Sequence, residues 1–185
     1  MSAPVSEELL DVVDHQNKVI DIRPRGEVHR LGLVHRSVHI LVFSSTGEVF
    51  LQKRSTSKDS NPGLWDSSAA GHLNSVEGYD ACAARELTEE LGVDGQGQLD
   101  RLFLLPASPV TAMEHCAVYR HINNGPFVLQ ADEIDEGEWF TASALDQRVA
   151  GHDPTLTTIF RLIWQTFRVG NTDDLAGAGQ SGDDI

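Results

Sequence analysis

Short apolar blocks broken by turn-forming residues dominate the first part of the chain. Leu10–Val13 and Lys18–Ile22 flank the polar cluster Asp14-His15-Gln16-Asn17, a pattern that predicts a β-hairpin. Val38–Phe43 is a second apolar run, which Ser44-Ser45-Thr46-Gly47 turns into a strand over Glu48–Lys53. Asn61-Pro62-Gly63 closes a polar loop, and Trp65–Gly71 is a short strand of small residues whose backbone something approaches closely. The period then changes. Tyr79–Leu91 is rich in Ala, Leu, Arg and Glu, places Ala83, Ala84, Leu87 and Leu91 on adjoining helical positions, and meets a capping glycine at Gly92. Strands are expected over Arg101–Leu105, Cys116–Ile122 and Glu138–Thr141. Helices are expected over Leu145–Ala150 and Thr155–Val169, the latter with Ile159, Leu162, Ile163 and Phe167 on one face. From Asn171 the chain has almost no apolar weight, and residues 171–185 read as a disordered acidic tail. The pattern predicts a single α/β domain over residues 1–170, with an N-terminal β-hairpin, a mixed sheet and interspersed helices.

Composition narrows the partners. The 185 residues are 40% hydrophobic and 23% charged, enough to bury a core without staples. No apolar run reaches the roughly 18–20 residues of a membrane helix. Met1–Leu10 carries two glutamates and no basic stretch, so no signal peptide is expected. Lys and Arg number 14 against 28 Asp and Glu, a formal net charge of −14. Such a surface repels a phosphate backbone and anionic lipid, which argues against a nucleic-acid polymer or a membrane as partner. An anionic small molecule remains open where basic residues or bound cations reverse the sign locally. Two cysteines, Cys82 and Cys116, are too few for a disulfide framework, and a reducing cytoplasm is the expected compartment.

Candidate chemistry lies between Gly71 and Val93. Glu86, Glu89 and Glu90 stand at i, i+3 and i+4 and project from nearly one helical face. Like charges at these spacings destabilise a bare helix by a few tenths of a kcal/mol each, a conflict that a cation removes. Hard oxygen ligands suit Mg²⁺ or Mn²⁺. Arg85 is placed to hold one carboxylate, and Gly71 and Gly78 bracket a loop whose backbone carbonyl can reach the same ion. The ordinary alternative for any one of these glutamates is a solvated acidic face.

The whole string decides between them. Gly71, five residues, Glu77, seven residues, then Arg85-Glu86-Leu87-Thr88-Glu89-Glu90-Leu91-Gly92-Val93 resembles the Nudix box at every fixed position, aliphatic slots included. The resemblance implies an α/β/α sandwich in which the box forms a loop–helix–loop metal site. It implies hydrolysis of a diphosphate linkage in a nucleoside diphosphate derivative or related small molecule, with Mg²⁺ or Mn²⁺. By the same resemblance Glu86, Glu89 and Glu90 are metal ligands, with the Gly71 carbonyl contributing. Glu86 doubles as the candidate base, and Arg85 holds a carboxylate. A homodimer is common in the family.

Outside the box, "GEVFLQKRSTSKD", "NPGLWDSSAAGH" and "GPFVLQADEIDEGEWFT" resemble bacterial Nudix hydrolases similar to isopentenyl-diphosphate isomerase, from about Asp11 to Leu145. Glu133 stands where many Nudix enzymes place a further catalytic carboxylate. Lys53, Arg54 and Lys58 form the dense basic stretch expected to meet phosphate, and His72 joins them as a candidate substrate contact. His29, His35, His72 and Glu114 fall near positions resembling the isomerase's histidine–carboxylate metal site. The His29–His35 spacing is one residue short, however, and Ala112 stands where a second carboxylate belongs. Isomerisation itself is disfavoured because Ala70 occupies the position of the isomerase's cysteine, and alanine transfers no proton. A catalytically silent diphosphate sensor is the other alternative, and its mark, a decayed box, is missing. Trp65, Phe103 and Tyr119 can stack on a base or a lipid chain, though core positions suit them better.

Overall fold

Strand β3 (His35–Phe43) is the axis around which the sheet is built. The computed structural model describes residues 8–95 and 98–177, with side chains through residue 170. On one side β3 runs parallel to β8 (Glu114–Ile122), in register from His35 with Glu114 to Phe43 with Ile122. On the other side it serves two antiparallel partners in turn. Ser37–Ile40 pair with β6 (Ala69–His72), and Val42–Phe43 with β4 (Val49–Arg54). Strand β4 also carries β9 (Ile134–Phe140) and the two-residue β5 (Trp65–Asp66), and β7 (Asp100–Leu105) borders β8. The sheet therefore forks between β4 and β6.

Alternation along β3 assigns its two faces. Val38, Ile40 and Val42 pack with Ala83, Leu87 and Leu91 of helix α2 (Tyr79–Leu91). Leu41 joins Leu51, Cys116 and Val118 against helices α3 (Ala142–Ala150) and α4 (Thr158–Gly177), which contribute Leu145, Phe160, Ile163 and Trp164. Each fully buried Leu, Ile or Phe contributes about 1.5–3 kcal/mol, so the helix–sheet–helix layering follows from the two apolar faces. The N-terminal hairpin of β1 (Leu9–Val13) and β2 (Val19–Pro24) has its own small cluster, in which Leu10 and Val12 meet Val28 of helix α1 (Arg25–Leu31).

Helix α1 has no counterpart in the sequence reading. It is seven residues long, follows Pro24 and contains Gly26, so no apolar period announces it. The expected Trp65–Gly71 strand is two strands, because β5 pairs with β4 while β6 crosses the fork to β3. Helix α4 spans Thr158–Gly177 and so enters the range expected as a tail, of which residues 178–185 lie outside the described residues. Among the described residues no helix is long and apolar enough to cross a membrane.

Candidate active site

Helix α2 sets the geometry of the acidic cluster. It follows the capping residue Gly78, carries Asp80 in its first turn, and ends at Gly92, whose left-handed φ of 66° lets the Gly92 N–H reach the Thr88 carbonyl and the Val93 N–H the Leu87 carbonyl. Glu86, Glu89 and Glu90 sit toward the C-terminal end, where the helix dipole disfavours negative charge, and no basic residue occupies the last turn. The cluster thus opposes both neighbouring charges and the dipole.

The three carboxylates differ in environment. Glu89 is half exposed, whereas Glu86 and Glu90 are buried. Burial pushes the Glu86 carboxyl up to about 7 against the pull of Arg85, and burial followed by repulsion from Glu86 raises Glu90 well above the ordinary range. Glu90 Oε2 accepts from Gln52 Nε2 at 2.8 Å and from the Ala70 N–H at 3.1 Å. Glu86 lies against Gly71 so closely that a Cβ there would stand 2.0 Å from its Oε1. Gly71 is required because the carboxylate occupies the space of its missing side chain.

Arg85 organises the loop and helix together. Its Nε and Nη2 donate to both oxygens of Glu77 at 2.8 and 2.9 Å, and its Nη1 donates to Glu86 at 2.6 Å and Glu89 at 3.1 Å. Nη2 also reaches the His72 carbonyl at 3.0 Å. The planar guanidinium thus fixes one rotamer for each carboxylate, which a lysine could not do.

The carboxylates open onto a cleft of about 1090 Å³ that spans the fork. Its acidic lining, with Asp66, Glu86, Glu89, Glu90, Glu114 and Glu133, outweighs its Arg25, Arg54, Lys58 and Arg85. Lys58 donates to the Glu133 carboxylate, and Arg54 Nη1 stands 3.7 Å from Asp66. The basic stretch expected from sequence is divided. Lys53 does not line the cleft: it pairs with Glu136 at 3.3 Å and lies over the Trp65 ring, because successive strand residues alternate faces. Trp65, Phe103 and Tyr119 pack in the core; Trp65 meets Phe140 edge-on, and the Tyr119 hydroxyl donates to Asp80.

A second cluster assembles across the sheet from α1, β3, β6 and β8. The ligand atoms of His29, His35 and His72 lie within 4.8 Å of one another, and Glu114 Oε1 stands 3.1 Å from His72 Nε2 and 3.5 Å from His35 Nε2. His35 Nδ1 is 2.9 Å from the Leu33 carbonyl, which can only accept, so Nδ1 carries a proton there while Nε2 faces the Glu114 carboxylate. Burial, with repulsion from His72 and His35, lowers His29 to about 4, and burial also lowers His72 against the opposing pull of Glu114. Burial raises Glu114, but hydrogen bonds from His35 and His72 outweigh it and hold the acid well below its usual range. The loop entering β8 holds Ala112 and Met113 at φ of 53° and 65°, a conformation costing about 1–3 kcal/mol per residue, just before Glu114. Three converging imidazoles and an ionised carboxylate form a donor set fit for a cation. The short His29–His35 interval is accommodated because Gly32, at φ of 60°, ends α1 and turns the chain into β3.

The NUDIX domain family matches residues 33–159. The uncharacterized Nudix hydrolase PA4841 of Pseudomonas aeruginosa is 37% identical over 132 residues, covering 71% of this chain and 78% of that protein. Isopentenyl-diphosphate Delta-isomerase 2 of Photorhabdus laumondii is 30% identical over 162 residues, covering 85% and 90%. The crystal structure of DR0079 from Deinococcus radiodurans superposes with a TM-score of 0.69 at 29% identity, covering 78% of this chain and 90% of that one.

Proposed function

Since this chain belongs to the Nudix family, we propose that it is a Mg²⁺- or Mn²⁺-dependent hydrolase of a small organic diphosphate. The observation that carries the reading is the pair Glu86 and Glu90, buried side by side against Gly71 and Ala70 with their acidity suppressed. Two adjacent buried carboxylates are a costly arrangement that a divalent cation relieves. Glu86, Glu90 and the Gly71 carbonyl would hold the ion, with Glu89 reaching it from the exposed side. Bound there, Mg²⁺ or Mn²⁺ supplies Lewis-acid stabilisation of charge on the phosphoryl oxygens. The nitrogen-rich set of His29, His35, His72 and Glu114 suits a borderline ion such as Mn²⁺ or Zn²⁺.

The chain's own groups supply the rest. Arg85 keeps Glu86 oriented. Arg54 and Lys58 bind non-bridging phosphate oxygens, and phosphate competes with Glu133 for the Lys58 ammonium. Glu133, so released, or Glu86 takes the proton of the attacking water as its oxygen bonds to phosphorus, while the bridging P–O bond breaks with its electron pair on the leaving phosphate. Unpaired, buried Cys82 and Cys116 are consistent with a reducing cytoplasm as the place of action.

The test is phosphate, pyrophosphate or nucleotide release with Mg²⁺ and Mn²⁺ across nucleotides, nucleotide sugars, dinucleotides and isoprenoid diphosphates. Metal-dependent turnover lost in the Glu89→Gln/Glu90→Gln double variant is expected. Silence across the panel with ligand-induced thermal shifts retained would move the assignment to a sensor.

Proton–metal competition gives a further expected result. A carboxyl with a folded pKa near 7 and an unfolded one near 4.5 binds more protons folded than unfolded between those values. Its contribution to stability therefore falls as pH rises from 4.5 to 7. The cation reverses this loss, so Mg²⁺ should raise the melting temperature more at pH 8 than at pH 5.5. Equal shifts at the two pH values would place the ion elsewhere.

A further inference from the structure

The face of β3 opposite α2 carries a row of polar side chains in a central strand. His35, Ser37 and His39 occupy successive positions on that face, all are at most 5% exposed, and all line the cleft. A strand flanked on both sides normally reads apolar, as Val38, Ile40 and Val42 do on the reverse face. His35 belongs to the histidine cluster already described; Ser37 and His39 do not. Ser37 Oγ is buried with no hydrogen-bond partner beyond the weak Cys116 thiol beside it. His39 Nδ1 is fixed 2.9 Å from Ser67 Oγ and 3.7 Å from Asp66 Oδ1, which leaves Nε2 without a partner among the described residues. The Asp66 carboxylate is itself held by the Ser67 N–H at 2.8 Å and by Arg54. His39 is thus a supported imidazole with one nitrogen unspent, and it lies directly across from Ala70 in the β3–β6 register.

We propose that Ser37 and His39 form the subsite for the group attached to the diphosphate and select a hydroxyl-bearing one, a ribosyl or glycosyl group, over a hydrocarbon chain. The inference rests on the hydrolase reading above and names its substrate class. A prenyl chain laid on this floor would leave the Ser37 hydroxyl and the His39 nitrogen buried and unpaired, whereas sugar hydroxyls donate to one and accept from the other. Leu33, Val110 and Ile159, from two loops and α4, are among the apolar residues lining the cleft and can pack on the edges of a sugar or base.

ADP-ribose and dimethylallyl diphosphate are the two probes, used with the full chain and Mg²⁺. The parent protein is expected to favour ADP-ribose in kcat/KM, and His39→Leu to reduce that preference about tenfold or more, chiefly through KM for ADP-ribose. His39→Asn, which keeps a polar atom, should retain more of the preference than His39→Leu. Ser37→Val gives a second, independently folded test of the same loss. A parent preference for dimethylallyl diphosphate, or a preference unmoved in both His39→Leu and Ser37→Val, overturns the proposal. Binding of the two probes, read by thermal shift, separates this failure from that of the hydrolase reading. No turnover of either probe by the parent counts against the hydrolase alone, whereas tighter binding of dimethylallyl diphosphate counts against the subsite.

Discussion

Glu90→Gln is expected to lower kcat about a thousandfold, which is about 4 kcal/mol of lost transition-state stabilisation, and to raise the melting temperature of the metal-free protein. The two effects have one cause. In the native chain Glu90 is buried beside Glu86, and its acidity is suppressed first by burial and then by that neighbour. Glutamine keeps an acceptor for Gln52 Nε2 and the Ala70 N–H but removes the charge. Arg85 does not bond Glu90, so no ion pair is lost. Each kcal/mol recovered should raise the melting temperature by about 2–4 °C. The direction with pH follows from the raised pKa: the native carboxylate is protonated in acid, so the advantage of glutamine should be largest at pH 8 in EDTA and shrink toward pH 5. Turnover near the parental rate would remove Glu90 from the site, and a lower melting temperature at pH 8 would show that its charge is already neutralised within the fold.

Gly71→Ala is expected to cost about a hundredfold in kcat with only a modest loss of stability. The added methyl would stand 2.0 Å from Glu86 Oε1 and 2.1 Å from its Cδ, so the side chain must turn away. The obstructing atoms are the end of a flexible side chain, which limits the damage to the fold. The same carboxylate is held at 2.6 Å by Arg85 and faces the proposed cation site, and a displacement near 1 Å at a reacting centre is worth about a hundredfold. The variant should also need more Mg²⁺ for half-maximal rate. Parental kinetics together with an unchanged Mg²⁺ requirement would show that Glu86 is free to act from another rotamer.

Much of this site was legible before any fold was known, for a physical reason. Helical period alone puts Glu86, Glu89 and Glu90 on one face, and the glycines at 71 and 92 mark the limits of that unit, so these relations depend on neighbours within a few turns. Alternation and turn chemistry likewise located most strands, with ends displaced by a few residues. What those local rules could not supply was distance between segments far apart in the chain. His29, His35, His72 and Glu114 belong to four elements, and the parallel pairing of β3 with β8 and the antiparallel pairing of β3 with β6 bring them together. His39 carried no sequence signal, since an isolated histidine is ordinary until its strand proves central and its face proves to line a cleft. Lys53 and Lys58 looked equivalent in composition, yet strand alternation and a loop turn send one to Glu136 and the other to Glu133. The sequence determined the acidic helix because its geometry is a property of consecutive residues. The tertiary structure decided the second cluster, the selecting floor and the division of the basic residues, because each depends on which strands pair and which side of the sheet they face.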